Sequence, residues 1–149
     1  MTDVDRRWLD RTVELSRLSP TSATAFAVGA VLVDAGGQVL ATGYSREGDP
    51  HDHAEEAALA KVSRDEPRLA SATIYSSLEP CTTRASRPRS CTELILAAGI
   101  RRVVFAWREP DVFVDCTGAE TLREAGVEVV EIPDLAARVR EVNAHLFEA

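Results

Sequence analysis

Hydrophobic and polar positions alternate along this chain with two periods, one typical of helices and one typical of strands. The first segment has an apolar helical stripe that Ser19-Pro20 ends. The members of this stripe are Val4, Trp8, Leu15 and Leu18. A β-branched run at residues 26–34, the Gly36-Gly37 turn and the alternating residues 38–44 then predict a β-hairpin.

Helical and strand patterns follow one another in turn after this hairpin. The predicted helices cover residues 53 to about 62 with Asp52 as N-cap, 90–99, 118–125, and a last segment that begins at Pro133-Asp134 and has Leu135, Val139, Val142 and Leu146 on one face. The predicted strands cover residues 72–77, 101–107 and 127–132. Around Gly99 and Gly126 the order helix end, glycine, strand occurs twice, and glycine there suits the left-handed position after a helix. Repeated α–β units predict an α/β fold with a mostly parallel sheet after the hairpin.

Length, composition and charge restrict the class of protein. A chain of 149 residues, with 45% hydrophobic and 28% charged residues, is that of one globular domain, residues 1–149. The longest apolar run, residues 25–33, is too short for a bilayer, which takes about 20 residues. The charged N-terminus has no apolar signal core, so we expect a cytoplasmic protein with no membrane partner. The net charge of −7 repels polyanions, so no nucleic-acid partner is expected.

Three short motifs indicate a metal site: His53-Ala54-Glu55, Pro80-Cys81 and Cys91. One imidazole and two thiolates form a three-ligand zinc set, and a fourth position open to water is typical of a catalytic site. Bound zinc lowers the pKa of a water to about 7, and Glu55, beside it and not a ligand, can move a proton from that water to a leaving nitrogen. This order of motifs is that of zinc deaminases.

Simpler interpretations of the same residues remain open. Asp52 with Glu55, and Ser90 with Glu93, also match helix capping boxes, and each cysteine could be a buried apolar residue. His51 as a fourth ligand would make the site closed and structural. The third cysteine, Cys116, is expected to be incidental, and His145 a surface or packing residue.

The segment between the two cysteine ligands is rich in cations and hydroxyls. It contains three arginines, Arg84, Arg87 and Arg89, in an otherwise acidic chain. Such a charge run is often only solvated, but a segment held at both ends by metal ligands must line the site. Since guanidinium groups bind phosphate well, these arginines predict a phosphorylated substrate.

These motifs, taken together, resemble a known family. The residues that match it are Gly43-Tyr44, Pro50 ahead of His53-Ala54-Glu55, Leu78-Glu79-Pro80-Cys81, Cys91, residues 96–100, Arg102-Val103-Val104 and residues 121–129. The chain resembles the cytidine-deaminase-like superfamily and, within it, the deaminase domain of bacterial bifunctional riboflavin-biosynthesis proteins. The resemblance implies a three-layer α/β/α fold with a five-stranded mixed sheet. It also implies zinc on His53, Cys81 and Cys91, Glu55 as proton shuttle, and a homo-oligomer. Since the chain stops at residue 149, no second, reductase domain is expected.

The chain departs from the riboflavin family at three places. That family usually has an asparagine ahead of Val28-Gly29-Ala30, whereas the only asparagine here is Asn143. Its second histidine, shortly after the catalytic glutamate, is missing, and the inter-cysteine segment has neither histidine nor glycine. The sequence around Phe26 is instead similar to nucleoside cytidine deaminases, in which a phenylalanine packs on the base.

The function predicted from the sequence is therefore zinc-dependent hydrolytic deamination of an aminopyrimidine nucleotide or nucleoside, with the diaminopyrimidine ribotide of riboflavin synthesis favoured. The predicted substrate contacts are Phe26, Ala54, Arg84, Arg87 and Arg89. One alternative is deamination of a cytosine nucleoside, nucleotide or cytosine-bearing antibiotic. Another is a zinc-stabilised binding module without turnover, which the presence of Glu55 disfavours. A nucleic-acid editing deaminase is disfavoured by the acidic charge and the single lysine, Lys61.

Overall fold

A computed structural model of the protein describes residues 3–23, 25–81, 90–108 and 117–147. The helices of this part are α1 (Asp3–Ser16), α2 (Ala54–Leu59), α3 (Cys91–Ala97), α4 (Gly118–Glu124) and α5 (Ala136–Val142). The strands are β1 (Gly29–Val33), β2 (Val39–Tyr44), β3 (Thr73–Leu78), β4 (Arg102–Trp107) and β5 (Glu128–Glu131). Short 3-10 segments lie at Pro67–Ser71, Pro133–Leu135 and Ala144–Leu146.

The strands form one mixed sheet in the order β2-β1-β3-β4-β5. β1 is antiparallel to both β2 and β3, whereas β3, β4 and β5 are parallel to one another. This arrangement confirms the predicted hairpin followed by a parallel sheet. Because β3 and β4 are parallel and Leu78 pairs with Trp107, both strands end at the same edge of the sheet, where the chain continues into the predicted site.

Helices cover both faces of the sheet, so the predicted three layers are confirmed. On one face α1 and α5 pack on Val31, Tyr75 and Val104. On the opposite face α3 and α4 pack on the alternate strand residues Leu32, Ile74 and Val103. This alternation is the period of two that strands impose on side-chain direction. None of the helices in the described ranges combines the length and apolar character needed to cross a bilayer.

The buried face of α1 differs from the predicted stripe. Val4 is 54% exposed, and Leu18, which lies beyond the end of the helix, is 62% exposed. Two apolar residues, Leu9 and Val13, are fully buried instead, beside the buried polar residue Asp5. The carboxylate of Asp5 accepts hydrogen bonds from the Tyr75 hydroxyl and the Arg102 guanidinium, which makes its burial favourable. An apolar pattern alone could not identify a face that contains paired polar groups.

The beginning of α2 also corrects the sequence analysis. The N-cap is His53 and not Asp52, and the backbone N–H of His53 donates to Oε1 of Glu56 at 3.3 Å. The carboxylate of Asp52 accepts instead from the backbone N–H of Gly48. The N-cap thus lies one residue later than predicted. The capping box pairs His53 with Glu56, and Glu55 takes no part in it. The helix is also shorter, since it ends at Leu59.

The structure also tests the other predicted element boundaries. Ser90 is confirmed as the N-cap of α3, because its Oγ accepts from the backbone N–H of Glu93 at 3.2 Å. Gly99 and Gly126, with φ of 79° and 90°, are confirmed in the left-handed conformation after α3 and α4. The first strand begins at Gly29 and not at residue 26, and the last predicted helix is divided into 3-10, α and 3-10 segments.

Candidate metal centre and active site

The three predicted zinc ligands come from three different elements that end or begin at one edge of the sheet. His53 is the N-cap of α2, Cys81 follows β3, and Cys91 is the first residue of α3. The two sulfurs are buried and the histidine is half-buried. Residues separated by up to 38 positions are therefore brought together by the fold.

The donor atoms of these residues have a spacing that suits a tetrahedral metal. Nδ1 of His53 lies 3.5 Å from Sγ of Cys81 and 3.3 Å from Sγ of Cys91, and all three donor atoms lie within 4.8 Å of one another. Zinc bonds of about 2.3 Å to sulfur and about 2.0 Å to nitrogen place such donors about 3.6 Å apart. The site fits zinc in both donor chemistry and spacing, and zinc is the cofactor that these residues would hold.

The backbone of α3 holds Cys81 in place. The N–H of Cys91 donates to Sγ of Cys81 at 3.3 Å, and the N–H of Thr92 donates to the carbonyl oxygen of Cys81 at 3.1 Å. Hydrogen bonds from Cys91 and His53 lower the pKa of the Cys81 thiol to about 4, although burial acts in the opposite direction. The thiolate is the form that binds a metal, so the site favours the ligand state at neutral pH.

Glu55 lies in the first turn of α2, two residues after His53, and is only 4% exposed. Burial raises the pKa of its carboxyl above the ordinary value, the negative charge of Cys81 adds to this, and His53 acts against it. Its Oε1 lies 3.3 Å from the hydroxyl of Ser76 on β3. A buried carboxyl beside a candidate metal site, with its proton affinity increased, is suited to accepting and returning a proton.

The segment before Cys81 is fixed by the start of α4. Oε2 of the buried Glu79 accepts from the backbone N–H of Ala119 at 2.9 Å. The Cα of Gly118 packs so closely on Pro80 that an added Cβ would lie 1.8 Å from the Pro80 carbonyl oxygen. Two independent contacts therefore determine where the chain enters the ligand Cys81.

The predicted substrate contacts are only partly described. Arg84, Arg87 and Arg89 lie outside the described residues, so their role in phosphate binding stays a prediction. Ala54 is fully buried in the first turn of α2, and Phe26, 7% exposed, packs edge-to-face on Trp107 with ring centroids 5.9 Å apart. Both belong to one apolar cluster, and their contact with a substrate also stays a prediction.

The remaining candidates are separate from the three ligands. His51 is exposed and is not part of the metal-ligand group found among the described residues. The ring Nε2 of His145 lies 2.9 Å from the carbonyl oxygen of Ser22, which confirms a packing role. Cys116 lies outside the described residues.

The structure gives Asn143 a position that the sequence did not indicate. Its side chain is fully buried, with Oδ1 accepting from the N–H of Ala27 at 2.7 Å and Nδ2 donating to the Ala27 carbonyl at 3.1 Å. The single asparagine thus reaches, from the end of α5, the segment in which the riboflavin family has its own asparagine. It binds backbone there and keeps the segment around Phe26 in place.

The sequence indicated no function for Ser76, and Glu79 was only part of a matching motif, although both are buried beside the site. A signal for each was present in the sequence. Ser76 is a polar residue inside a predicted strand, and Glu79 is an acidic residue immediately before Pro80-Cys81. Buried polar groups need partners, so such positions mark contacts that the fold must supply.

Comparisons with known proteins agree with this geometry. Residues 2–107 match the family model described as the cytidine and deoxycytidylate deaminase zinc-binding region. A diaminohydroxyphosphoribosylamino-pyrimidine deaminase of Schizosaccharomyces pombe is 43% identical over 120 residues, which cover 79% of this chain and 29% of that protein. The riboflavin biosynthesis protein RibD of Aquifex aeolicus is 38% identical over 121 residues, covering 80% of this chain and 32% of that protein. The chain thus spans about a third of the length of these curated relatives.

Solved structures give the same result. A diaminohydroxyphosphoribosylaminopyrimidine deaminase/5-amino-6-(5-phosphoribosylamino)uracil reductase of Thermotoga maritima superposes with a TM-score of 0.76 at 30% identity, covering 93% of this chain and 39% of that one. A C-terminal deletion mutant of the Rib2 deaminase of Aspergillus oryzae superposes with a TM-score of 0.80 at 26% identity. In that comparison 93% of this chain and 89% of the other are covered.

Proposed function

This chain belongs to the family of cytidine and deoxycytidylate deaminase zinc-binding regions, and from that membership we propose that it is a zinc-dependent hydrolytic deaminase of a diaminopyrimidine ribotide. The observation on which the proposal rests is the position of Glu55. A buried carboxyl that takes no part in helix capping lies two residues from His53, beside the three donor atoms. A site that only stabilised the fold would not need this acid.

The chemistry divides between the metal and the protein. Zinc, when held by His53, Cys81 and Cys91, supplies a Lewis acid that lowers the pKa of a water to about 7. Hydrolytic deamination replaces an exocyclic amine of the ring by oxygen and releases ammonia. The departing NH2 group must gain one proton to leave as ammonia, and Glu55 could take that proton from the water and give it to the nitrogen. Its buried position excludes bulk solvent from this transfer.

The substrate is proposed from the relatives together with the arginine-rich segment. The Schizosaccharomyces pombe relative is named for a phosphoribosylated diaminopyrimidine. Arg84, Arg87 and Arg89 lie between the two cysteine ligands and offer the guanidinium groups that a ribotide phosphate would bind. An aminopyrimidine ribotide therefore agrees with both the relatives and the charge of this segment.

A second candidate substrate is a cytosine nucleoside or nucleotide. It is favoured by Phe26, which lies just before β1 in the apolar cluster that also contains Ala54 of α2. An aromatic ring at this place could pack against a base, whereas an asparagine would select a polar group by hydrogen bonding. The two candidates differ in ring substituents and not in the reaction.

Ammonia release by the zinc-loaded protein tests both proposals. We would compare the diaminopyrimidine ribotide, its dephosphorylated form, cytidine and dCMP, with Glu55→Gln as the inactive control. The ribotide should give the highest kcat/KM, at least about tenfold above its dephosphorylated form, because a charge-assisted phosphate contact is lost in the latter. Turnover of the cytosine compounds without the ribotide would overturn the proposed substrate. Ammonia release from none of the four compounds would overturn the deaminase proposal.

Three further properties accompany this proposal. We propose that residues 1–149 act as one deaminase domain, that the protein works on a small molecule in the cytoplasm, and that it forms a homo-oligomer. The net charge of −7 supports a small-molecule substrate over a nucleic acid. Light scattering coupled to gel filtration would measure the oligomeric state, and a mass equal to one chain would contradict the oligomer.

A further inference from the structure

Ser76 of β3 is the described side chain that reaches the candidate proton shuttle from the sheet. Ser76 is fully buried, and its hydroxyl oxygen lies 3.3 Å from Oε1 of Glu55. The same oxygen lies 2.7 Å from the carbonyl oxygen of Leu78, two residues further along the strand. The hydroxyl therefore has two acceptors within hydrogen-bond distance.

A serine hydroxyl has a single hydrogen and can donate to only one of these acceptors at a time. The 2.7 Å distance to the Leu78 carbonyl is the ordinary one for an O–H···O bond, and the 3.3 Å distance to Oε1 of Glu55 is longer. The contact with the Leu78 carbonyl keeps the Ser76 oxygen in place beside Oε1 of Glu55.

Rotation of the Ser76 hydroxyl can direct its hydrogen to Oε1 of Glu55, with Ser76 as donor. The Glu55 side chain is only 4% exposed, and a buried carboxyl needs hydrogen-bond partners. Ser76 supplies one such partner from the sheet, which an apolar side chain at this place could not do.

We propose that Ser76 is a positioning residue for Glu55: its hydroxyl, held beside Oε1 by the carbonyl of Leu78, keeps the carboxyl in one orientation. This inference rests on the proposed deaminase function, since it assigns a step to Glu55. It adds the residue that keeps the shuttle in one orientation.

The neighbouring Ser77 provides a matched control. It is also buried in β3, but its Oγ accepts from the backbone N–H of Gly29 at 3.1 Å and it points to the opposite face of the sheet. Ser76→Ala and Ser77→Ala therefore remove the same group from adjacent positions of one strand. Only the first removal affects Glu55.

Steady-state kinetics of the zinc-loaded variants test the proposal. Ser76→Ala should lower kcat by about ten- to a hundredfold, because a displaced catalytic group costs rate, and KM should stay within about twofold. Ser77→Ala should leave kcat within about twofold. In a Glu55→Gln background, Ser76→Ala should lower the residual kcat less than about twofold, since the two changes act on one step. An unchanged kcat in Ser76→Ala, or an equal loss in both backgrounds, would overturn the proposal.

A measurement independent of turnover separates this inference from the proposed function. Crystal structures of zinc-loaded wild type, Ser76→Ala and Ser77→Ala would locate the Glu55 carboxylate directly. The Glu55 carboxylate should occupy a different position, or several positions, only in Ser76→Ala. An unmoved carboxylate in that variant would overturn the positioning role. If the wild type released no ammonia from any tested compound, the deaminase proposal would fail, while these structures would still decide whether Ser76 holds Glu55.

Discussion

The backbone N–H of Cys91 donates to the sulfur of Cys81 at 3.3 Å, so the second cysteine binds the first one directly as well as sharing a site with it. The N–H of Thr92 adds a bond to the Cys81 carbonyl. The start of α3 therefore orients one candidate ligand with its backbone and supplies another with its first side chain. This relationship makes the two cysteines one structural unit, whatever path the chain takes between them.

Replacing Cys91 by serine should remove the metal. A serine hydroxyl is a poor zinc ligand, so zinc should fall from about one per chain to near zero. The melting temperature should fall as well, because the free energy of metal binding is also folding free energy. Elemental analysis and thermal unfolding would measure both. Cys116→Ser should retain its zinc, and a full zinc content in Cys91→Ser would refute the ligand set.

Glu55→Gln should separate catalysis from structure. The amide keeps the shape of the side chain but cannot move a proton, so turnover should fall by about 10²–10⁴ with zinc content unchanged. The adjacent Glu56→Gln is the matched control, because Glu56 binds the backbone N–H of His53 and its change should leave kcat within about twofold. A Glu55→Gln protein that lost its metal, or retained its rate, would show that the carboxylate is not a proton shuttle.

Gly118→Ala should weaken the metal site from a distance. The new Cβ would lie 1.8 Å from the carbonyl oxygen of Pro80, so the backbone immediately before Cys81 must move. We expect about 1–3 kcal/mol lower unfolding free energy, the usual cost of overpacking, together with weaker zinc binding. Gly36→Ala is the control, since its Cβ would meet only Asp34 Oδ1 at 3.4 Å. Equal zinc affinity in both variants would contradict this coupling.

Neutralising the arginines between the cysteines should affect phosphorylated substrates selectively. One of Arg84, Arg87 and Arg89 is expected to bind the phosphate. Replacing that arginine should lower kcat/KM on the ribotide by the equivalent of about 1.5–3 kcal/mol, the value of a charge-assisted hydrogen bond. The dephosphorylated substrate should be nearly unaffected. Arg17→Ala, at an exposed position after α1, provides the comparison. Equal wild-type kcat/KM values on both substrate forms would remove the reason for a phosphate site.

Tyr75 should make the protein sensitive to alkaline pH. Burial, together with the 2.7 Å hydrogen bond that its hydroxyl donates to Asp5, raises the pKa of Tyr75 above its ordinary value near 10. The neutral phenol is thus favoured in the folded state. Its contribution to the free energy of unfolding is complete below pH 10 and is lost as pH rises beyond that. The free energy of unfolding, measured in urea from pH 8 to 11.5, should therefore fall more steeply with pH for wild type than for Tyr75→Phe. The difference in slope should be up to about 1.4 kcal/mol per pH unit. Parallel curves would contradict this assignment.

Local rules predicted those parts of the structure that depend on neighbouring residues. The order of helices and strands, the Ser90 cap and the left-handed Gly99 and Gly126 all follow from chemistry within a few positions of the chain. The three candidate ligands could also be predicted from the sequence, and the fold brings them together. Sulfur and imidazole are specialised metal donors, so their spacing has few other interpretations.

The tertiary structure decided which partner each buried polar group has. Asp5 lies on the buried face of α1 because Arg102, far away in the sequence, neutralises it, and no apolar period could predict that. The N-cap of α2 is His53 and not the predicted Asp52, so Glu55 has no capping role.

Partners from distant segments also explain why the sequence indicated no role for two polar residues near the site. Asn143 binds the backbone of Ala27 across 116 positions, and Ser76 faces Glu55 across 21. Serine and asparagine are common residues whose side chains find partners in many contexts, so their identity alone does not determine a role. The sequence by itself determined the donor atoms and the order of the elements. Only the folded chain decided which polar side chains surround them, because that choice depends on distances between segments that the sequence keeps far apart.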